Sequence, residues 1–191
     1  YGGADKDIIE SFMTALEMIH TYSLVHDDLP AMDNDEYRRG KKTTHAVYGE
    51  AMAILTGDAL LNYAYETLAF SLSQNPGDER WVKAFSVFAG KAGIFGMIGG
   101  QVVDVESEKK AKRVDKEQLD FIYRLKTGAL IEASLMIGAI LAGATDQEIS
   151  WMEEAGTKLG LAFQIQDDIL DVTSTLEILG KPIGSDGRNE K

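Results

Sequence analysis

The sequence has 191 residues, enough for one domain that buries a core of its own, and it contains no cysteine, which fits a reducing compartment. Its 31 acidic against 19 basic side chains give a net charge of −12, which excludes long-range attraction to nucleic acid or to an anionic membrane surface. No leader-like segment is seen and no apolar run is expected to reach the roughly 20 residues that span a bilayer, so the expected setting is soluble and cytoplasmic. The chain runs from Tyr1 to Lys191, just after the loop-like Gly184-Ser185-Asp186-Gly187, and both ends are expected to be cuts in a longer protein.

In chain order the periodicity predicts helices near 5–28, 47–73, 79–107, 116–142 and 147–174, with no strand pattern and no hairpin signal. In the first, Ile8, Phe12, Ala15, Ile19 and Tyr22 share one face, and Asp7 and Glu10 suit its start. Pro30 disfavours helical geometry at Leu29, which ends that helix near Asp28. Pro76 and Pro182 mark further breaks. The third helix carries Gly90, Gly93, Gly96, Gly99 and Gly100, each costing up to about 1 kcal/mol relative to alanine. Close helix packing and room left for a ligand explain that density equally well. Asp115 with Gln118, and Thr145 with Glu148, have capping-box form ahead of the last two helices. The whole reads as an all-α bundle of one domain, 1–191.

Two stretches carry chemistry. Asp27, Asp28, Asp33, Asp35 and Glu36 are followed at once by Arg38, Arg39, Lys41 and Lys42. Carboxylates beside cations suit an anion held partly through a divalent metal, and Mg²⁺ with diphosphate fits, because Mg²⁺ takes one or two carboxylates and completes its octahedron with phosphate oxygens. Arg and Lys then hold the oxygens that the metal does not reach. Asp27 and Asp28 also fall at a helix C-terminus, where the macrodipole costs each a few tenths to about 1 kcal/mol. A local rule broken twice running suggests function, although a solvated acidic loop is the ordinary alternative.

The second stretch is Gln164-Ile165-Gln166-Asp167-Asp168-Ile169-Leu170-Asp171. Here the helix continues, so Asp167 and Asp171 stand one turn apart with Gln164 and Gly160 on the same stripe. Flanked by Leu159, Leu161, Phe163, Ile165 and Ile169, these carboxylates are expected to face a polar cavity or a cation. Alone the pattern is modest and a solvated face would explain it. Two such clusters facing each other in one helical domain would form a multi-metal diphosphate site.

Asp27-Asp28-Leu29-Pro30-Ala31-Met32-Asp33 with Arg38-Arg39-Gly40, together with Gln164 to Asp171 and Gly180-Lys181, resemble the two aspartate-rich motifs of the trans-polyprenyl diphosphate synthases. The likeness is greatest to the bacterial farnesyl diphosphate synthase (geranyltranstransferase) type, whose first motif has two extra residues between its aspartates. The resemblance implies an isoprenoid-synthase-type helical bundle around a central cavity, usually a homodimer, from a family whose members are longer at both ends. It implies that Asp27, Asp28 and Asp33 ligate two Mg²⁺ ions, and that Asp167, with Asp168 and Asp171 near it, ligates a third. Gln101 and Asp104 would face these metals. Arg38 and Lys126 would hold the allylic diphosphate, and Arg39 the diphosphate of isopentenyl diphosphate. Thr127 would face the forming cation, and Gln164, Lys181 and Lys191 would complete the pocket.

The reaction implied is ionisation of an allylic diphosphate (dimethylallyl or geranyl), attack by the isopentenyl double bond, and loss of a proton to the departed diphosphate. No strong protein base is needed; of His20, His26 and His45, His26 abuts the aspartates but is expected to be structural. Tyr22, five positions before the first aspartate, resembles the aromatic stopper that limits the product to fifteen carbons, with Ser23 beside it, although a plain core tyrosine would look the same. A geranylgeranyl diphosphate synthase, or a non-catalytic homologue of the same fold, is the alternative. A class I terpene cyclase would carry an Asn-Ser/Thr-Glu second motif instead, and Asp33-Asn34-Asp35 lacks the glycine and terminal glutamate of a calcium loop.

Overall fold

The structure is a computed structural model, and it describes residues 4–74, 76–109 and 115–173, with the side chains of 108, 109, 171 and 172 left out. The elements run α1 (Lys6–Asp27), β1 (Tyr37–Arg38), β2 (Lys41–Lys42), α2 (Thr44–Tyr48), α3 (Glu50–Gln74), α4 (Glu79–Ala92), α5 (Met97–Lys109), α6 (Lys116–Ile122), a π-helical segment (Tyr123–Gly128), α7 (Ala129–Leu141) and α8 (Asp146–Thr173). The expected all-α bundle is present.

The face read from the sequence of α1 is the face that folds inward: Ile8, Phe12, Ala15, Ile19 and Tyr22 are its buried residues. They meet Leu68 of α3, Phe88 of α4 and Ile137 and Ile140 of α7 in one core, where Phe12 and Phe88 stand edge to face at 6.4 Å. Burying one such phenylalanine contributes about 2–3 kcal/mol. The N-cap is Asp5, whose carboxylate accepts from the backbone N–H groups of Asp7 and Ile8, so the start lies ahead of the expected Asp7 and Glu10. At the other end, α1 stops at Asp27, as Pro30 requires.

Four local features differ from the sequence reading. The predicted helix 79–107 is two helices, because the chain turns between Gly93 and Gly96; a Cβ at Gly96 would lie 2.0 Å from the Lys91 carbonyl oxygen. The stretch Glu79–Ser107 is apolar and long enough to cross a membrane by composition, contrary to expectation. Split into 14 and 13 residues, with Ala84, Phe88, Ala92 and Met97 in the core, neither half has the length of a span. Next, a small hairpin pairs Tyr37 with Lys42 and Arg38 with Lys41. Its turn is Arg39-Gly40, at φ 51° and 74°, both in the left-handed region, as type I′ hairpin turns require. Finally, Tyr123–Gly128 is wound as a π-helix inside the predicted helix 116–142, a form associated with functional sites.

Both capping sites form. Thr145 and Glu148 close the reciprocal box, each backbone N–H donating to the other's side chain. Asp115 accepts from the Gln118 backbone, while the Gln118 amide donates to Ser107 across to α5. On α8 the expectation of buried flanks is corrected: Leu159, Leu161, Phe163, Ile165 and Ile169 are all exposed, so apolar surroundings do not force Asp167 and Asp168 into a cavity. Their placement comes instead from close packing of α8 on the π segment, where a Cβ at Gly160 would lie 2.8 Å from the Gly128 Cα. From the other side α5 approaches as closely, since a Cβ at Gly100 would lie 2.3 Å from the Lys126 backbone nitrogen. For that glycine, close packing is the reason.

Candidate active site

The π segment therefore lies between two helices that touch its backbone, and its side chains reach both. Lys126 Nζ donates to Asp104 of α5 at 2.7 Å. The Thr127 hydroxyl donates to the side-chain amide oxygen Oε1 of Gln164 on α8 at 2.9 Å, and the Tyr123 hydroxyl donates to Asp168 at 2.6 Å. Gln164 also donates to Asp168, at 3.4 Å. One turn before Asp104 on α5, Gln101 Nε2 donates to Asp27 at 2.6 Å. A polar path thus runs from Asp27 at the end of α1, through Gln101 and Asp104, to Lys126 and Thr127, and on to Gln164 and Asp168. The two acidic clusters, about 140 residues apart in sequence, share one rim.

Burial pushes the Asp27 carboxyl up to about 6, with Lys126 and Arg38 opposing the rise and Asp33 and Asp104 adding to it. Asp33 is drawn back toward α1 by its backbone N–H, which donates to the Asp27 carbonyl at 2.9 Å. Asp28 is 5% exposed and takes the Arg38 guanidinium in a fork, with Nε at 2.9 and 3.1 Å and Nη2 at 2.7 Å. For Arg38, burial alone would lower the pKa, but the hydrogen bonds and charge of Asp28, with Asp27 and Asp35, raise it overall. The hairpin turn is what swings Arg38 back onto α1.

Not every expected residue joins this rim. Ser23 is folded back on its own helix, donating to the His20 carbonyl at 2.8 Å. Arg39 is exposed at the turn of the hairpin. The Asp171 side chain, Lys181 and Lys191 lie outside the described residues. Tyr22 is 6% exposed, with its phenol pushed up to about 12 by burial, by Tyr65 and by Asp27, and so stays protonated. Tyr123 was not among the expected residues. Its signal was its position four residues before Thr127, which puts both on one face of a helix.

Among the described residues no three carboxylate or histidine groups converge closely enough to enclose a metal ion. Mg²⁺ does not need such a cage, since it binds through one or two carboxylates, water and substrate oxygens. The residues fit it on two counts. The donors are hard carboxylate oxygens, and Gln101 Oε1, buried beside Asp27, is an acceptor with no hydrogen-bond partner among the described residues. A buried acceptor of this kind calls for a further donor, and metal-bound water would supply one.

The polyprenyl synthetase family model matches residues 3–191. The chain is 51% identical over 177 residues to a geranylgeranyl diphosphate synthase of Cyanophora paradoxa, covering 93% of this chain and 58% of that protein. It is 46% identical over 189 residues to a farnesyl diphosphate synthase of Geobacillus stearothermophilus, covering 99% of this chain and 63% of that protein. Among solved structures, a geranyltransferase of Helicobacter pylori complexed with magnesium and isoprenyl diphosphate superimposes with a TM-score of 0.80 at 41% identity, covering 91% of this chain and 56% of that one. The chain thus spans a little over half the length of these relatives, and its bundle is the helical fold of the isoprenoid synthases. By sequence match, by fold and by the two acidic clusters on one rim, it belongs to the polyprenyl synthetase family.

Proposed function

We propose that the protein is a magnesium-dependent prenyltransferase. It joins isopentenyl diphosphate head to tail (1′-4) to an allylic diphosphate, dimethylallyl or geranyl, and releases diphosphate, with farnesyl diphosphate as the end product. The observation that carries this reading is the run of polar side chains from Asp27 to Asp168, in which the carboxylates of Asp27, Asp28, Asp104 and Asp168 stand with two cations, Arg38 and Lys126. So acidic a rim suits an anionic substrate only when cations come with it.

In this reading Asp27, Asp28 and Asp33 hold two magnesium ions, and Asp167 with Asp168 and Asp171 holds a third. When bound, magnesium neutralises the charge that develops on the departing diphosphate oxygens. Lys126 and Arg38 turn from Asp104 and Asp28 to donate to those same oxygens, which favours the separated charge over the intact ester. Thr127 and Gln164, hydrogen-bonded to one another, present neutral polar groups to the allylic carbon. Arg39, exposed on its turn, takes the diphosphate of isopentenyl diphosphate, and the family resemblance assigns Lys181 and Lys191 to the same pocket. The proton leaves with diphosphate, for which the chain needs no strong base of its own.

Buried Tyr22 supports the fifteen-carbon product, since an aromatic ring at that depth closes the space beneath the first aspartates. The 51% identity to a geranylgeranyl diphosphate synthase supports a twenty-carbon product instead. A soluble cytoplasmic homodimer is the expected form. Phe70 of α3 and Ile94 and Phe95 of the α4–α5 link, all at least 70% exposed, supply apolar surface for an interface. Incubating the full-length protein with labelled isopentenyl diphosphate and geranyl diphosphate, with magnesium or with EDTA, tests the function. Magnesium-dependent farnesyl diphosphate is expected; no condensation by folded protein with any allylic partner would refute the reading.

A further inference from the structure

His26, the residue just before Asp27, is seated in a notch on α3. Its imidazole occupies the space that a side chain at residue 57 would fill: a Cβ on Gly57 would lie 2.0 Å from Nε2 and 2.3 Å from Cδ2. Nε2 is 3.1 Å from the Ile54 carbonyl oxygen, an acceptor, so this nitrogen carries the proton. One turn earlier on α1, the Tyr22 ring meets the imidazole edge to face, with centroids 5.8 Å apart and planes at 83°. Residues four apart on a helix are neighbours, so the imidazole limits where the Tyr22 ring can swing. Tyr22 is buried among core residues on its other sides.

We propose that His26, seated by Gly57, is a positioning residue for Tyr22 and thereby sets how strictly the product length is limited. The proposal rests on the reading of Tyr22 as the floor of the product cavity. Gly57 serves by having no side chain, because an alanine there takes the place of the imidazole without altering α1. The atoms displaced are the far end of a side chain rather than backbone, so the helices can keep their packing. With the imidazole gone from its notch, the bond to Ile54 and the edge-to-face contact are lost together. The Tyr22 ring is then free to turn aside before a growing chain.

The test measures the ratio of twenty- to fifteen-carbon product formed by the full-length protein from geranyl and isopentenyl diphosphates. The variants are Tyr22→Ala, Gly57→Ala, His26→Ala and His26→Phe. Gly57→Ala and His26→Ala are each expected to raise the ratio by roughly two- to tenfold, the range that loss of one aromatic pair gives. His26→Phe, which restores an aromatic ring beside Tyr22, is expected to stay near the wild-type ratio. An unchanged ratio in both Gly57→Ala and His26→Ala, with longer products from Tyr22→Ala, overturns the role of His26 and leaves Tyr22 as the floor. An unchanged ratio in Tyr22→Ala as well overturns both. If Gly57→Ala does not fold, His26→Ala against His26→Phe decides alone.

Discussion

Two groups of charged side chains share α8, and they are solved in opposite ways. At one, Glu132 of α7 is 1% exposed and both its oxygens are engaged: Lys91 of α4 donates to one, and Thr157 of α8 donates to the other at 2.6 Å. Lys91 also donates to Glu153 at 2.8 Å, and these bonds keep its pKa raised although burial acts against it. At the other, the rim from Asp27 to Asp168, carboxylates outnumber cations among the described residues, Gln101 Oε1 is buried without a partner among them, and Asp27 is pushed up to about 6. The first cluster is complete within the chain. The second leaves demand unmet among the described residues, and unmet demand of this kind marks a candidate site rather than a structural ion pair.

The sharpest way to break that contrast is at Glu132. Glu132→Ala leaves Lys91 half-buried with a single partner and is expected to cost about 3 kcal/mol or more, read as a lower denaturation midpoint. Affinity for a diphosphate ligand should be unchanged while the variant is folded. The rim should behave the other way. Because the folded-state pKa of Asp27 is raised, its contribution to stability is present below about pH 4 and is lost as the pH rises through about 6. Metal-free Asp27→Asn should therefore be more stable than wild type at pH 7, by up to about 3 kcal/mol, and should lose that advantage by pH 4. Thermal melts in EDTA across that range would show it. The same variant should lose magnesium-dependent activity about a thousandfold. The smallest effect is expected from Tyr123→Phe, which removes one hydrogen bond to Asp168 and should cost about 1–3 kcal/mol, seen mainly as weaker magnesium dependence of turnover and little as lost stability.

The sequence shows the contrast only in part. The core face of α1 and the two acidic clusters were legible because helical periodicity and local charge density are written in neighbouring residues. Asp104 and Gln101 were legible from spacing together with the family resemblance. The hairpin was not, since Arg39 sits in the left-handed region and flanking Arg and Lys carry no strand pattern. The break at Gly93–Gly96 and the π segment were hidden for a related reason: both are set by how closely backbones approach, which no local propensity records. Glu132 and Lys91 were missed because 41 residues separate them and each looks ordinary in its own helix. The exposed flanks of α8 show the converse error, in which a run of apolar residues suggested burial that the described residues do not provide.

Whether the rim recruits its ligand through magnesium is decided by calorimetric titration of a non-hydrolysable geranyl diphosphate analogue into the wild-type protein and into Asp27→Asn, with magnesium and with EDTA. Binding that requires magnesium in the wild type and vanishes in a folded, stabilised Asp27→Asn is the predicted result. Binding of equal strength in EDTA, or undiminished in Asp27→Asn, would contradict it and would mean that the unmet demand of the rim is not what recruits the ligand.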